Sequence, residues 1–234
     1  VKISSQLQIN EIPARILDPV PDDESMLILS LSENRFHHHY TDIEKGIILS
    51  KLSEANVTEI SIIEKYMPML GLEKSKKLLD DHLSANQFVS SLKILLHEMN
   101  IPLRVFSVFF SWDKENILAA VRFFSVLRPG ANKLRDLLEW IEEISTRDEV
   151  TPLTLFELPE LKSVLNQNDL APNVRYERIR QTLHSKRFPI LNDLRVRLAK
   201  TLDELKLDDK TRVHIQDNFE SDEIRVEMKF RTRE

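Results

Sequence analysis

Lys74, Ser75, Lys76 and Lys77 stand together at the head of an amphipathic run. Three ammonium groups beside a hydroxyl make and break no bonds. They neutralise and hold phosphate oxygens, the sequence-independent part of DNA binding. A second concentration of positive charge lies at residues 171–200, where Arg175, Arg178, Arg180, Lys186, Arg187, Arg195, Arg197 and Lys200 outnumber Glu177 and Asp193. That stretch either follows a phosphate backbone or pairs with acidic helices elsewhere, such as one carrying Glu139, Glu142 and Glu143. The other reactive side chains do not assemble. His37, His38 and His39 are consecutive, and neighbouring residues point in different directions on any regular element, so they read as a loop and not as a metal site. His82, His97, His184 and His214 are isolated, with no H-E-x-x-H spacing, and nothing orders Ser, His and Asp into a triad.

The four residues at 74–77 need a helix to present them. In residues 60–83, ISIIEKYMPMLGLEKSKKLLDDHL, the apolar positions Ile60, Ile63 and Met67 predict one helix, with Pro68 in its last turn and a break at Gly71. Leu78, Leu79 and Leu83 predict a second helix, so the segment has the outline of a helix-turn-helix. A helix inserted into a groove by its N-terminus would bring the lysines to DNA and keep Asp80 and Asp81 away from it.

Around this motif the pattern is almost wholly helical. Glu11–Leu17 suits a strand, and DPVPDDE is a turn with capping residues for a helix carrying Met26, Leu27, Leu29 and Leu31. Thr41-Asp-Ile-Glu44 is a capping box ahead of Ile43, Ile47 and Leu52. Phe88, Leu92, Leu95, Leu96 and Met99 predict a further helix, and Pro102 restarts the chain into an apolar segment ending at Phe110. Ile117, Val121 and Phe124 mark the next helix, which ends at Arg128-Pro129-Gly130, the expected domain boundary. Phe106, Phe109, Phe110, Phe123 and Phe124 read as core, not as a base-stacking platform. Beyond lie a helix with Leu134, Leu137, Leu138, Ile141 and Ile144, short pieces broken by Pro152 and Pro159, and a helix with Tyr176, Ile179 and Leu183. A leucine row then comes at 191, 194, 198, 202 and 205 that can pack internally or across a dimer. Ile224, Val226, Met228 and Phe230 alternate with charged residues and predict a strand, with Val213 and Ile215 on its hairpin partner. That hairpin is expected either to complete a sheet begun by Glu11–Leu17 or to sit in a dimer interface.

Composition narrows the function classes. A chain of 234 residues with 41% hydrophobic and 30% charged residues reads as a soluble globular protein of one or two domains. No apolar run approaches the roughly 18–20 residues that span a bilayer, and VKISSQLQIN has no signal-peptide h-region. The absence of cysteine excludes disulfides, cysteine-ligated zinc and thiol nucleophiles, and fits a reducing cytosol. Three glycines are too few for a Walker or dinucleotide loop. A net charge of −5 means that any DNA contact uses a local basic surface.

The order of these features resembles the ParB family. EIPARILDP, an acidic turn and SMLILSLSENR are similar to the later half of a ParB-type N-terminal domain. ISIIEKYMPMLGLEKSKKLL stands in the place of that family's helix-turn-helix, and FVSSLKILLHEMNIPLRVFSVFF resembles the helices after it. The match covers residues 11–125. It implies a mainly α fold in three parts: a truncated ParB-type α+β piece at 1–40, a helical DNA-binding domain at 41–128, and a helical region at 129–234 ending in the hairpin. It also implies duplex DNA as partner, a homodimer, and a cytoplasmic, nucleoid-associated role in partitioning. By the same resemblance, Lys74, Ser75, Lys76, Lys77 and Arg104 would contact DNA, Arg104-Val105 standing where the family has His-Ala. Glu33, Asn34 and Arg35 would serve CTP with magnesium. Phe36 and His37 replace the family's Gln and Arg there, which removes a fork that could hold phosphate bidentately. A strand such as EIPARIL cannot form a domain alone, so residues upstream of Val1 are expected. Two other readings stand beside DNA binding: a CTP-binding dimer switch, and an acidic helical adaptor that binds protein and has lost DNA.

Overall fold

The structure, a computed structural model, describes residues 11, 21–34, 39–167, 169–207, 211–215 and 224–229. The strand expected at Glu11–Leu17 lies almost wholly outside these residues, as do Arg35, Phe36, His37, His38 and Phe230. The described fold is mainly α, with one two-stranded antiparallel sheet. No described helix is long and apolar enough to cross a membrane.

The chain divides into two compact units, Val1–Phe110 and Ser111–Glu234. The division falls at the end of the apolar segment 103–110 and not at Arg128-Pro129-Gly130, because the helix before that tripeptide packs on elements later in the chain.

In the first unit, the Asp22 carboxylate accepts the Ser25 N–H at 2.7 Å and opens α1 (Asp23–Asn34). Leu31 of α1 is buried, whereas Met26 and Leu29 remain exposed. Thr41 begins α2 (Asp42–Glu54) with the expected capping box: the Glu44 N–H donates to the Thr41 hydroxyl at 3.3 Å, and the Thr41 N–H donates to the Glu44 carboxylate at 2.8 Å. Thr41→Ala is expected to lower the unfolding free energy by about 1 kcal/mol, measured by urea titration. Next come α3, a composite of Glu59–Ser61, Ile62–Tyr66 and Met67–Met69, then α4 (Lys76–Asn86) and α5 (Ser90–Glu98). A short α6 (Leu103–Phe106) runs into a 3-10 turn at Ser107–Phe110. Leu31, Leu49, Leu52, Ile62, Tyr66, Met67 and Leu79 share one core. Phe106 and Phe109 are buried as the core reading expects, whereas Phe110 is exposed; the Phe88 ring packs on all three.

The second unit opens on α7 (Lys114–Leu127), capped by Asp113 and ended by Arg128 in the left-handed conformation at φ 42°. α8 (Ala131–Asp148), α9 (Pro152–Phe156), α10 (Pro159–Asn166), α11 (Pro172–Arg187) and α12 (Pro189–Glu204) respect the predicted breaks at Pro152 and Pro159. Phe156 of α9 packs on Phe123 and Phe124 of α7, and the buried Asn116 amide oxygen accepts the Leu153 N–H at 2.8 Å. The nearby Trp112 indole donates to the Glu142 carboxylate of α8. These contacts tie α7 to α9, and the segment just before α7 to α8. Tyr176, Ile179 and Leu183 of α11 are buried as predicted, but α12 has no buried residue.

β1 (Thr211–Ile215) pairs with β2 (Ile224–Met228), with Val213 opposite Val226. Every residue of β2 is exposed, and the described sheet holds no third strand.

Candidate nucleic-acid interface

The helix pair at 58–86 forms through local signals. The Thr58 hydroxyl caps α3 by accepting the Ser61 N–H. The helix then widens into a π turn at Ile62–Tyr66, where the Met67 N–H reaches back to the Ile62 carbonyl. In a regular helix the Pro68 ring would meet the carbonyl of the residue four back, and the wider turn just before it relieves that crowding. Of the three positions expected inside, Met67 is buried and Ile63 packs partly buried against the core. Ile60, expected inside, is 76% exposed, while Ile62, Tyr66 and Met67 are fully buried.

Gly71 closes the helix at φ +71°, with the Leu72 N–H on the Met67 carbonyl at 2.9 Å and the Gly71 N–H on the Pro68 carbonyl at 3.0 Å. This is a Schellman ending, whose left-handed residue glycine adopts without steric cost. Four residues on, Ser75 caps α4 by accepting the Leu78 N–H at 3.3 Å, so its own hydroxyl proton remains available to an acceptor.

The lysines are therefore gathered at the turn, but two of the three are engaged. Lys74 Nζ lies 2.5 Å from Glu64 and Lys76 Nζ 2.6 Å from Glu59, both acids of the preceding helix. Lys77 is exposed and has no ion-pair partner among the described residues. Both pairs are solvent-exposed, where an ion pair contributes about 0–1 kcal/mol, little enough for phosphate oxygens to displace the carboxylates. Arg104 is exposed on a separate element, α6, whose first N–H, that of Leu103, donates to the Asp42 carboxylate at 2.8 Å.

Two residues outside the predicted site, Gly46 and His82, position α4. His82 is 1% exposed, and its Nδ1 donates to the Asp42 carbonyl at 3.1 Å. A Cβ on Gly46 would meet the His82 carbonyl oxygen at 2.7 Å, so α2 and α4 touch through backbone there. The signal for both was a histidine one turn after Leu79 on the buried face, and a glycine inside an apolar helical stripe. Burial holds the His82 imidazole below its ordinary 6.5, although Asp42 opposes this. Burial raises the Asp42 carboxyl, but the Leu103 amide and Lys45 more than offset it, leaving it below 3.8. Both depressed values give stability that is present at high pH. The His82 contribution is complete above 6.5 and is lost as pH falls through the folded value beneath it; the Asp42 contribution is lost below 3.8. Urea titrations from about pH 7 to about pH 5 are expected to show stability falling across the histidine range. His82→Gln is expected to flatten that curve.

The second basic stretch is mostly paired internally. Arg187 binds Glu143 through two nitrogens, Arg197 meets Asp193 at 2.6 Å, Arg180 meets Glu177 at 3.5 Å, and Arg175 and Arg178 donate to Gln167. Arg180 and Arg187 also lie over the Trp140 ring. The expectation of pairing with Glu143 describes Arg187 well.

For a nucleotide, Glu33 is exposed and Asn34 is the last residue of α1. The last turn of α1 has no basic residue, and helix C-terminal carbonyls repel phosphate. Among the described residues no group of three His, Cys, Asp or Glu could hold a metal. Arg35 lies outside the described residues, so the described part of this corner is Glu33 and the C-terminal end of α1.

No family model, curated protein or solved structure matches the chain.

Proposed function

We propose that this chain is a ParB-like protein that binds duplex DNA through the helix-turn-helix at 58–86, in chromosome or plasmid partitioning or a related DNA-bound role. The observation that carries the reading is the Schellman turn at Gly71 delivering a Ser75-capped helix with Lys74, Lys76 and Lys77 at its head. Phosphate backbone meets the lysines and the Ser75 hydroxyl, while Asp80 and Asp81 lie further along the helix, away from it. The test is fluorescence anisotropy of a labelled duplex at several salt concentrations. Affinity is expected to fall steeply with salt, and Lys77→Glu to weaken binding uniformly across sequences and reduce the salt slope by about one. Absent or salt-insensitive binding rejects the reading.

The ion pairs of Lys74 with Glu64 and Lys76 with Glu59 favour a second reading, an acidic helical adaptor whose lysines serve its own fold. Capture of a protein partner with no duplex binding at low salt selects it over the first.

A homodimer is supported by the leucine row, of which Leu194 in α12 and Leu205 just after it are 41% and 58% exposed. Leu194→Glu with Leu205→Glu is expected to shift the sedimentation coefficient to that of a monomer. An unchanged value places any dimer contact elsewhere.

A further inference from the structure

The hairpin of β1 and β2 ends in an open edge. An isolated sheet needs three or more strands with an apolar face to be stable in water, and the described sheet stops at two. β2 is exposed along its whole length, and its side away from β1 carries no third strand among the described residues. Its side chains are sorted by face. Ile224, Val226 and Met228 share one face with Val213, which stands opposite Val226. Arg225 and Glu227 lie on the other face, where Arg212 stands opposite Glu227. Edge strands are commonly blunted by a proline or a bulge. β2 has neither: its sequence is IRVEM, and five consecutive residues pair with β1 without a break.

The sequence of β2 is complementary to itself in one register. In an antiparallel pair of identical strands, opposed residues share a face, so the two-fold axis passes through a residue. With the axis through Val226, Val226 meets its own copy, Ile224 meets Met228 and Arg225 meets Glu227, the last two contacts each made twice. Apolar residues then face apolar ones, and each arginine faces a carboxylate. The neighbouring registers fail on charge. With the axis through Glu227, Glu227 meets Glu227 and Arg225 meets Lys229; with the axis through Arg225, Arg225 meets itself. A parallel pairing in register sets every charge against its own kind. β1, TRVHI, holds no acidic residue, so its edge has no such complement in a second β1.

We infer that β2 pairs antiparallel with β2 of a second copy of this chain, in the register centred on Val226, to give one four-stranded sheet that runs through both protomers. The pairing is isologous, the same strand serving on both sides of the axis, so it closes at two copies and does not propagate into a fibre. It rests on the homodimer reading and adds to it the surface, the symmetry and the register.

The chain has no cysteine, so Val226→Cys introduces a single thiol per protomer. In this register the two 226 positions oppose each other with Cα atoms about 4.5–5.5 Å apart, within disulfide reach, whereas the two 228 positions lie about 14 Å apart. Mild oxidation of the whole chain is expected to convert Val226→Cys to a covalent dimer on a non-reducing gel and to leave Met228→Cys monomeric. In sedimentation velocity, Arg225→Glu and Glu227→Arg should each raise the dimer Kd about tenfold, since each opposes like charges at two places. An equimolar mixture of the two is expected to restore the parent Kd, because the glutamates of one protein then face the arginines of the other. Mixing does not repair a damaged hairpin, so recovery separates pairing from folding. A parent chain that sediments as a monomer overturns this pairing together with the homodimer reading. A dimer in which Val226→Cys does not cross-link, in which Met228→Cys cross-links equally, or in which the weakened variants stay weak on mixing overturns the pairing alone and leaves the leucine row as the contact.

Discussion

Lys74→Glu, Lys76→Glu and Lys77→Glu together are expected to lower the affinity for duplex DNA by more than about 100-fold, and the slope of log affinity against log salt to fall by about 2.7. Each lysine that neutralises one phosphate releases close to one counterion, so three lost contacts remove about three times that slope. Folding is expected to persist, because the pairs that Lys74 and Lys76 make are exposed and each contributes about 0–1 kcal/mol. The reciprocal change separates competition from mere charge. Glu64→Gln with Glu59→Gln frees Lys74 and Lys76, and is expected to tighten binding by about three- to tenfold while leaving the unfolding midpoint nearly unchanged. Anisotropy titrations of both variants read the effect directly. If neither variant changes affinity, the duplex does not meet α4 and the adaptor reading takes its place.

Gly46→Val is expected to cost about 3 kcal/mol of stability, the upper end of ordinary overpacking. The added Cβ would sit 2.7 Å from the His82 carbonyl oxygen, and a backbone atom on a packed helix has no alternative rotamer to offer. The whole of α4 must shift, which disturbs the seat of Leu79 and the His82–Asp42 bond. Gly46→Ala meets the same contact but gains about 1 kcal/mol of helix propensity, so its net loss is smaller. Urea denaturation of the three proteins should rank parent, alanine, valine. If the valine protein matches the parent in stability, α2 and α4 are not in contact at this point.

Much of the fold was legible because its signals are local. The capping box at Thr41 needs only four residues, and the breaks at Pro152 and Pro159 need one each. The leucine and isoleucine spacing of α8 put Leu134, Leu137, Leu138, Ile141 and Ile144 inside, and all five are buried. The same logic failed at Ile60, because spacing alone did not say which of the apolar residues Ile60, Ile62, Ile63 and Met67 define the buried stripe. The core-facing set is Ile62, Ile63, Tyr66 and Met67, and Ile60, in the first turn of α3, falls to one side of it. The division after Phe110 was illegible for a different reason. Arg128-Pro129-Gly130 is a strong local stop, but which side α7 joins depends on Phe156 meeting Phe123 and Phe124, a contact more than thirty residues away in the chain.

At the candidate interface the residue types were readable and their engagement was not. Charge composition placed lysines at 74–77, yet the partners of Lys74 and Lys76 lie ten and seventeen residues earlier, across a turn that no periodicity describes. For the arginines of 171–200, the alternative of pairing with the acidic helix at Glu139, Glu142 and Glu143 describes Arg187, which meets Glu143, whereas Glu139 lies by Arg135 and Glu142 accepts from Trp112.

Both tryptophans, Trp112 and Trp140, fall within Ser111–Glu234, whereas the first unit carries Tyr40 and Tyr66 and no indole. Intrinsic tryptophan emission therefore reports on the second unit alone, and the helices of both units contribute to far-ultraviolet circular dichroism. Recorded on one denaturant series, the two signals make the chain its own instrument. Coincident curves mean that both units melt as one cooperative body, and separated curves give each its own midpoint without a label or a truncation.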